Sequence, residues 1–290
     1  MIQTRSNDYK NLLITFGLVV LALMVIFPFF LMISGSLKTE AEINSSVLKL
    51  LPETPQFGNY LRAFEQGPWG RWFLNSLIVT LTTTIVSLVI NSMAGFAFAR
   101  LTFFGRDFFF YTVLLGLMVP PQLTILPTFI IMKKIPLAGG NDILGAGGTG
   151  LINTYGGLML PIFAGAFGIF LCRQFFLNFP KSLDDAAKID GCSVSRVYRQ
   201  IYLPNSGALL MSLGVLKGTY SWNDYIWPLA IIQSEKMMTV QLGLSRFRDA
   251  MITWETLLAA TFIVMLPMVI LFLVAQKYLV AGLVTSGMKE

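Results

Sequence analysis

Residues 12–33 read LLITFGLVVLALMVIFPFFLMI, an apolar run that contains no Asp, Glu, Lys or Arg. An α-helix needs about 20 such residues to cross the ~30 Å hydrocarbon core of a bilayer. Inside lipid the backbone must satisfy its own polar groups, and a helix does so within a single segment. The run therefore predicts a transmembrane helix.

Five further segments share this long and apolar character, so the sequence predicts six transmembrane helices. They cover approximately residues 12–33, 73–99, 108–132, 151–172, 206–229 and 257–276. The fifth of them is the weakest prediction, because Lys217 and Asp224 interrupt it. We expect residues 1–290 to form one all-α polytopic membrane domain.

Composition agrees with this class and excludes several others. Of 290 residues, 55% are hydrophobic and 12% are charged, whereas ordinary soluble domains carry about 25% charged residues. Histidine is absent, and the two cysteines are Cys172 and Cys192. These counts exclude histidine-based catalysis, histidine metal ligands and a disulfide framework. We therefore expect no catalytic residue and no metal site.

Basic residues indicate which side of the membrane each connection faces. Six spans place both termini on one side, and cytoplasmic segments usually carry the excess of Lys and Arg. With the N-terminus inside, the inner segments hold 11 Lys and Arg residues and the outer ones 9, which favours cytoplasmic termini. The inner segments are then residues 1–11, 99–107, 173–205 and 277–290. No basic stripe with interleaved aromatic residues indicates a nucleic-acid partner.

The inner loop of residues 178–205 contains the sequence KSLDDAAKIDG, which has the pattern of a short capped helix. Ser182 is the expected N-cap, and Asp184 and Asp185 would lie in the first turn, where carboxylates are favourable. Gly191 fits the residue that ends such a helix. One narrow face of this helix would let another surface approach closely. That face consists of Leu183, Ala186, Ala187 and Asp190.

A second short helix is expected in the same loop. Ser193 is its predicted N-cap, and the apolar residues that follow recur with helical spacing. This stripe consists of Val194, Val197, Tyr198 and Ile201. The two caps and the two faces favour a docking element for a cytoplasmic partner. The alternative is a connector that is solvated or lies on the lipid surface.

The loop resembles the EAA loop of ABC-importer permeases, whose pattern is E-A-A-x-x-x-G-x₉-I-x-L-P. The spacing agrees throughout, and the departure is Asp185 in place of Glu. Two other segments are also similar to that family. The sequence WNDYIWPL at residues 222–229 resembles its carbohydrate-uptake branch, and residues 276–289 resemble the tail of the maltose-permease G-type subunit.

This resemblance implies a non-enzymatic subunit of a larger assembly in the bacterial cytoplasmic membrane. Its partners would be a homologous second permease, two ATPase subunits and an extracellular or periplasmic solute-binding protein. The chain has no G-x-x-x-x-G-K-[ST] motif, so ATP and Mg²⁺ would bind to the ATPases and we expect no cofactor here. The residues that the resemblance assigns to ATPase coupling are Asp185, Ala186, Ala187, Asp190, Gly191, Ile201, Leu203 and Pro204. It also assigns ATPase contacts to the tail residues Gly287, Met288 and Lys289.

The charges of the fifth predicted span allow two interpretations. Lys217 and Asp224 are seven residues apart, about two helical turns, so they share one face of a helix. Charges within a span usually face a cavity or the bundle interior. The translocation-pathway candidates are then Gly214, Lys217, Ser221, Asn223 and Asp224. Alternatively, the charges pair with the partner subunit or lie near the membrane interface. A lysine in the pathway would suit an acidic sugar.

We expect the substrate to be a carbohydrate, with an oligosaccharide as the first choice. One alternative is an ABC importer for a non-sugar solute such as glycerol phosphate, an amino acid or a polyamine. Another is an ion-coupled secondary transporter, which would need ionisable groups in several spans. Only one predicted span carries charge, which disfavours ion coupling.

Overall fold

The computed structural model describes residues 3–47, 49–249 and 252–287. Fourteen α-helices make up most of that part of the chain, joined by loops and short 3₁₀ or π turns. The helices are α1 (Gln3–Ser36), α2 (Glu40–Ile43), α3 (Gly58–Glu65), α4 (Trp69–Arg100), α5 (Arg106–Met118), α6 (Pro121–Lys133), α7 (Tyr155–Met159), α8 (Ala166–Leu177), α9 (Ser182–Ile189), α10 (Val194–Val197), α11 (Gly207–Asn223), α12 (Ile226–Ile231), α13 (Val240–Asp249) and α14 (Trp254–Gly287).

Three of these helices are long and apolar enough to cross a membrane. They contain the stretches Tyr9–Ser36, Trp69–Arg100 and Trp254–Gln276, which enclose the predicted spans at residues 12–33, 73–99 and 257–276. The first stretch buries none of its apolar window within the chain. A helix that is hydrophobic all round and unburied suits a lipid environment. The all-α membrane class is thus confirmed.

Two further predicted spans are bent pairs of helices and not single straight ones. Helices α5 and α6 meet at 110°, and the pair Tyr155–Ile162 and Ala166–Leu177 meets at 42°. The sharper bend falls at Pro120, because a residue before proline avoids helical geometry and Val119 is extended there. The prediction of one continuous helix over residues 108–132 is corrected to this broken form.

The predicted span at residues 206–229 is also interrupted. Helix α11 has 17 residues, or about 25 Å at 1.5 Å per residue, which is short for the hydrocarbon core. The chain turns extended at Asp224, and its carboxylate accepts a hydrogen bond from the Trp227 backbone at 3.3 Å. Asp224 thus lies in the break between α11 and α12, and the described helices provide three to five candidate spans.

The chain divides into two compact units, residues 1–68 with 244–266, and residues 69–243 with 267–290. In the first unit, the buried amide of Asn59 donates to the carbonyls of Ser36 and Lys38, each at 2.8 Å. These bonds fasten the start of α3 to the end of α1.

In the second unit, α4 packs against α8 and α11. Small residues allow this close packing, as is common between membrane helices. Gly95 is an example, since a side chain there would collide with Cys172 on α8. At the end of α4 nearest the loop of residues 178–205, an aromatic core gathers around Phe96, Phe176 and Tyr202. This core positions the site described next.

Candidate functional site

The first half of the loop forms helix α9, as its sequence pattern predicts, but with a different cap. Lys181 occupies the N-cap position and makes no side-chain capping bond, so the prediction of Ser182 as cap is wrong. The chain turns one residue earlier because the Leu183 amide donates to the carbonyl of Pro180 at 3.3 Å. Asp184 and Asp185 do lie in the first turn, next to the positive end of the helix dipole.

Gly191 ends this helix in the predicted way. Its φ is +66°, in the left-handed region. Its amide donates to the Lys188 carbonyl at 3.1 Å, and the next amide, of Cys192, donates to the Ala187 carbonyl at 2.9 Å. This pair of bonds is the Schellman motif. An added Cβ at Gly191 would meet no atom within 4 Å, so the space beyond it is open in this chain.

Helix α9 is exposed on most of its surface. Ala187 is its one buried residue, while Asp185 and Ala186 are exposed and Ile189 is 87% exposed. The two alanines therefore have different roles, because Ala187 packs against its own chain and Ala186 points away from it. The predicted open face therefore keeps Leu183, Ala186 and Asp190, which are exposed, and loses Ala187, which is buried.

The second half of the loop packs against the protein. Ser193 occupies the N-cap position of α10 without a side-chain bond, and the helix continues as a π turn over Tyr198–Tyr202. Of the predicted apolar stripe, Val197, Tyr198 and Ile201 pack on the aromatic core, whereas Val194 is 53% exposed.

Tyr202 is fully buried and was not predicted from the sequence. The wider π turn adds a residue to the helical cycle, which rotates Tyr202 inward. Its ring stacks on Phe179 at 4.9 Å and meets Phe96 edge-on at the same distance. Its hydroxyl donates to Asp184 Oδ1 at 2.7 Å. Burial and this hydrogen bond raise the pKa of Tyr202 above its usual value.

Arg100, the last residue of α4, holds the other side of the same carboxylate. Its guanidinium lies 3.2 Å from Asp184 Oδ2, and its side chain is 7% exposed. Its remaining N–H groups donate to the carbonyls of Phe176, at 2.8 and 3.1 Å, and of Phe179. Arg100 therefore adds side-chain hydrogen bonds to carbonyls at and just beyond the C-terminal end of α8, where a positive charge is favourable. We call Arg100, Asp184 and Tyr202 the loop anchor.

The predicted coupling residues thus fall into two groups. Asp185, Ala186, Asp190 and Gly191 lie on the exposed part of the loop around α9, and Ala187 faces the chain. The remaining three belong to the packed half. There Ile201 and Leu203 are partly buried, and Pro204 is exposed at the start of a 3₁₀ turn.

The pathway candidates are not all brought together. Ser221 is buried and its hydroxyl lies 3.0 Å from that of Thr83 on α4. Gly214 also faces α4, where side-chain atoms of Thr84 and Leu88 lie within 4 Å of the position that a Cβ would occupy. Asn223 is exposed and accepts a hydrogen bond from Gln241 at 3.0 Å.

The two charged candidates do not form a direct ion pair. Lys217 lies 5.6 Å from the centre of the Tyr220 ring. Among the ion pairs of the described residues, none joins Lys217 to Asp224. Of the tail, Gly287 ends α14, and Met288 and Lys289 lie outside the described residues.

These features define the class first: a multi-pass helical membrane protein that presents an exposed helix in its loop of residues 178–205. The family model described as "Binding-protein-dependent transport system inner membrane component" matches residues 91–284. The chain is 34% identical to the arabinooligosaccharides transport system permease protein AraQ of Halalkalibacterium halodurans, over 98% of this chain and 99% of that protein. It is 31% identical to the sn-glycerol-3-phosphate transport system permease protein UgpE of Brucella suis, over 99% of both chains.

The fold is also found in solved structures. One of them is the crystal structure of a bacterial ABC transporter involved in the import of the acidic polysaccharide alginate, with a TM-score of 0.78 and 21% identity over 94% of this chain and 98% of that one. The chain belongs to the binding-protein-dependent transport system inner membrane components. It is a non-catalytic, multi-pass permease subunit of a bacterial ABC importer.

Proposed function

We propose that this chain forms half of the translocation pathway of an ATP-driven oligosaccharide importer. The observation that carries the proposal is the 34% identity to an arabinooligosaccharide permease over 98% of the chain. The segment WNDYIWPL, which resembles the carbohydrate-uptake branch, supports it. Its partners in this proposal are a second, homologous permease, two ATPases and a solute-binding protein outside the membrane.

In this proposal the chain crosses the membrane six times and keeps both termini in the cytoplasm. The five stretches that pass as straight or bent spans are completed by α11 with α12, broken at Asp224. A broken helix is tolerated at membrane depth where it is buried in protein or lines a cavity.

Cysteine accessibility from either side of sealed vesicles tests this topology. Labelling of Leu144→Cys from the cytoplasmic side would contradict this topology, because the loop after α6 would then not be external.

The loop around α9 is the coupling element in this proposal. Its exposed face, with Asp185, Ala186 and Ile189, would fill a cleft on an ATPase, and closure of the ATPases would then move the permease. The support is that α9 exposes apolar surface which its own chain leaves uncovered. The tail beyond residue 285 would contact the ATPases as well, so its deletion should weaken assembly.

A glycerol-3-phosphate importer is the second candidate, since the chain is also 31% identical to a permease named for that solute. Purified transporter, reconstituted with its ATPases and second permease, discriminates the two. Solute-binding protein loaded with arabinooligosaccharide should stimulate ATP hydrolysis several-fold, and glycerol 3-phosphate should not. Stimulation by glycerol 3-phosphate alone would overturn the oligosaccharide assignment.

The charge of the transported sugar can be tested at Lys217. In this proposal the lysine of α11 faces the pathway and favours an acidic oligosaccharide. Lys217→Met should then lower the transport of acidic sugars about ten-fold, since a desolvated charge contact contributes about 1.5–3 kcal/mol, and leave neutral sugars unaffected. Equal transport of acidic sugars by the variant and the wild type would remove Lys217 from the pathway.

A further inference from the structure

Adjacent carboxylates at the start of α9 differ sharply in their surroundings. Asp185 is 69% exposed at its side chain, and its one ion pair among the described residues is with Lys188, at 3.7 Å on the same helix. Asp184 is 21% exposed and contacts both Arg100 and Tyr202. The position that matches the glutamate of the family pattern is Asp185. Asp184 therefore has a separate task.

Helix α9 depends on Asp184 for its polar attachment. In the part of the chain that the structure describes, every side-chain hydrogen bond or ion pair from α9 to another element passes through this carboxylate. The apolar attachment is small, because Ala187 is the helix's one buried residue. A push on α9 must therefore reach the rest of the protein mainly through the Asp184 carboxylate and the chain ends.

Arg100 turns that carboxylate into a stiff joint with a candidate transmembrane helix. Its guanidinium forms an ion pair with Asp184 through Nη1, while Nε and Nη2 donate to the carbonyls of Phe176 and Phe179. These carbonyl bonds hold the planar guanidinium in place beside the carboxylate, which a lysine ammonium on its flexible stem would do less well. Because Arg100 is the last residue of α4, displacement of α9 is applied directly to the end of that span.

Tyr202 adds a second connection on the other side of Asp184. Its ring is held among Phe96, Phe176 and Phe179, and four residues later Ser206 precedes α11. The Ser206 hydroxyl also bonds to the Tyr202 carbonyl. One carboxylate thus links the exposed helix to both α4 and α11.

We infer that Arg100, Asp184 and Tyr202 are positioning residues that transmit ATPase-driven movement of α9 into helices α4 and α11. Asp185 takes part in docking, and Asp184 passes the motion on. This inference rests on the proposed coupling role of the loop. The inference separates two steps. Loss of docking would prevent the ATPases from assembling with the permease. Loss of transmission would leave the assembly intact but uncouple ATP hydrolysis from transport.

The test compares Asp184→Asn with the control Asp107→Asn in the complete transporter. Asp107 is an exposed carboxylate that pairs with Arg106 at 3.0 Å and lies outside the loop of residues 178–205. Asparagine preserves shape and the acceptor for Tyr202 but removes the charge that pairs with Arg100. We expect the 184 variant to assemble and hydrolyse ATP, with at least a ten-fold fall in substrate transported per ATP. The 107 variant should keep the transported-to-hydrolysed ratio. An unchanged ratio for the 184 variant, or an equal fall for both variants, would overturn the inference.

Two further measurements distinguish loss of transmission from misfolding of the variant and from the choice of a wrong substrate. Tyr202→Phe keeps the ring packing and removes one bond to Asp184, so it should lower the same ratio by a smaller factor. Spin labels at Ser182, which is exposed at the start of α9 and outside the docking face, and at Phe104, which is 99% exposed, report the joint without any substrate. The distribution of distances between the two labels should stay narrow when ATP binds to the wild-type transporter and should broaden in Asp184→Asn. An equally narrow distribution in the variant would contradict the joint.

The failure of the proposed function has a different signature. If no ATPase co-purifies with the wild-type permease, the coupling role of the loop is wrong. If ATPase binds but no sugar-loaded binding protein stimulates it, the substrate assignment is wrong. In that second case the spin-label distances still decide the transmission inference.

Discussion

The two halves of the loop differ in burial although they are neighbours in sequence and similar in length. Helix α9 buries Ala187 alone. Of the nine residues from Tyr198 to Ser206, Tyr202 and Ser206 are fully buried and three others are partly buried. Burying large side chains is worth about 1.5–3 kcal/mol each. One half therefore stabilises the chain's own fold, and the other leaves its surface uncovered, as the proposed docking role requires.

This difference teaches how one short motif carries two functions. A docking helix can be small and exposed if an adjacent segment fixes it to the core. The Schellman turn at Gly191 separates the two halves. The loop anchor then joins them again through Asp184, so the exposed half remains mechanically connected.

The largest effect is expected when the packed half is broken. Tyr202→Ala removes a fully buried ring and leaves both a cavity and an unsatisfied Asp184 acceptor, at a cost of about 3–5 kcal/mol. The variant should lose folded protein, as measured by thermal denaturation of the detergent-solubilised chain. Tyr202→Phe, which fills the same volume, should retain most of it. A loss of folded protein in Tyr202→Phe as large as in Tyr202→Ala would contradict the packing role of the ring.

A smaller effect is expected at the junction of the halves. Gly191→Leu imposes a left-handed φ on a branched residue, a cost of roughly 1–2 kcal/mol, and fills the open space beyond the turn. ATP hydrolysis should become uncoupled from transport. Gly191→Asn, which tolerates this φ and is less bulky, is the control. Normal coupling in the leucine variant would remove this loop as the coupling element.

The exposed half can be tested with the two alanines. Ala186→Leu should leave the thermal stability of the isolated chain within about 0.5 kcal/mol and weaken ATPase binding at least ten-fold. Ala187→Leu should overpack its contact and destabilise the chain by about 1–3 kcal/mol. Co-purification of ATPase and thermal denaturation separate the effects. Equal destabilisation by both substitutions would mean that the helix faces are misassigned.

The smallest effect concerns the edge of the packed half. Val194→Ser changes an exposed side chain and should alter stability by less than about 0.5 kcal/mol. Val197→Ala, in the packed stripe, should cost about 1 kcal/mol because it removes partly buried apolar surface. Thermal denaturation of the two variants side by side measures this. A larger loss of stability in Val194→Ser than in Val197→Ala would mean that the packed and exposed residues of the apolar stripe are misassigned.

The sequence was sufficient for the membrane class and for much of the loop. Long charge-free runs reveal spans because a helix of about 20 apolar residues satisfies its own backbone polar groups in lipid. Gly191 reveals the helix end because left-handed backbone favours glycine. The matching spacing from Asp185 to Pro204 led to the family that residues 91–284 confirm.

The rest depended on geometry that spacing does not contain. The π turn that buries Tyr202 interrupts the 3.6-residue period on which the stripe prediction relied. The ion pair of Arg100 and Asp184 joins residues 84 positions apart, each of which reads locally as an ordinary charge at a helix end. The prolines at residues 120 and 121 indicate a break in the third span, but the spacing of residues does not give its angle of 110°.

The most direct test of the account is thiol labelling at Ile189 in sealed inside-out vesicles, with and without the ATPases. The starting chain carries serine at residues 172 and 192 in place of cysteine, and a cysteine at Phe104 serves as the exposed control. The account predicts that ATPase lowers the labelling rate of Ile189→Cys at least ten-fold and leaves Phe104→Cys unchanged. Equal labelling of Ile189→Cys in both preparations would contradict docking through α9.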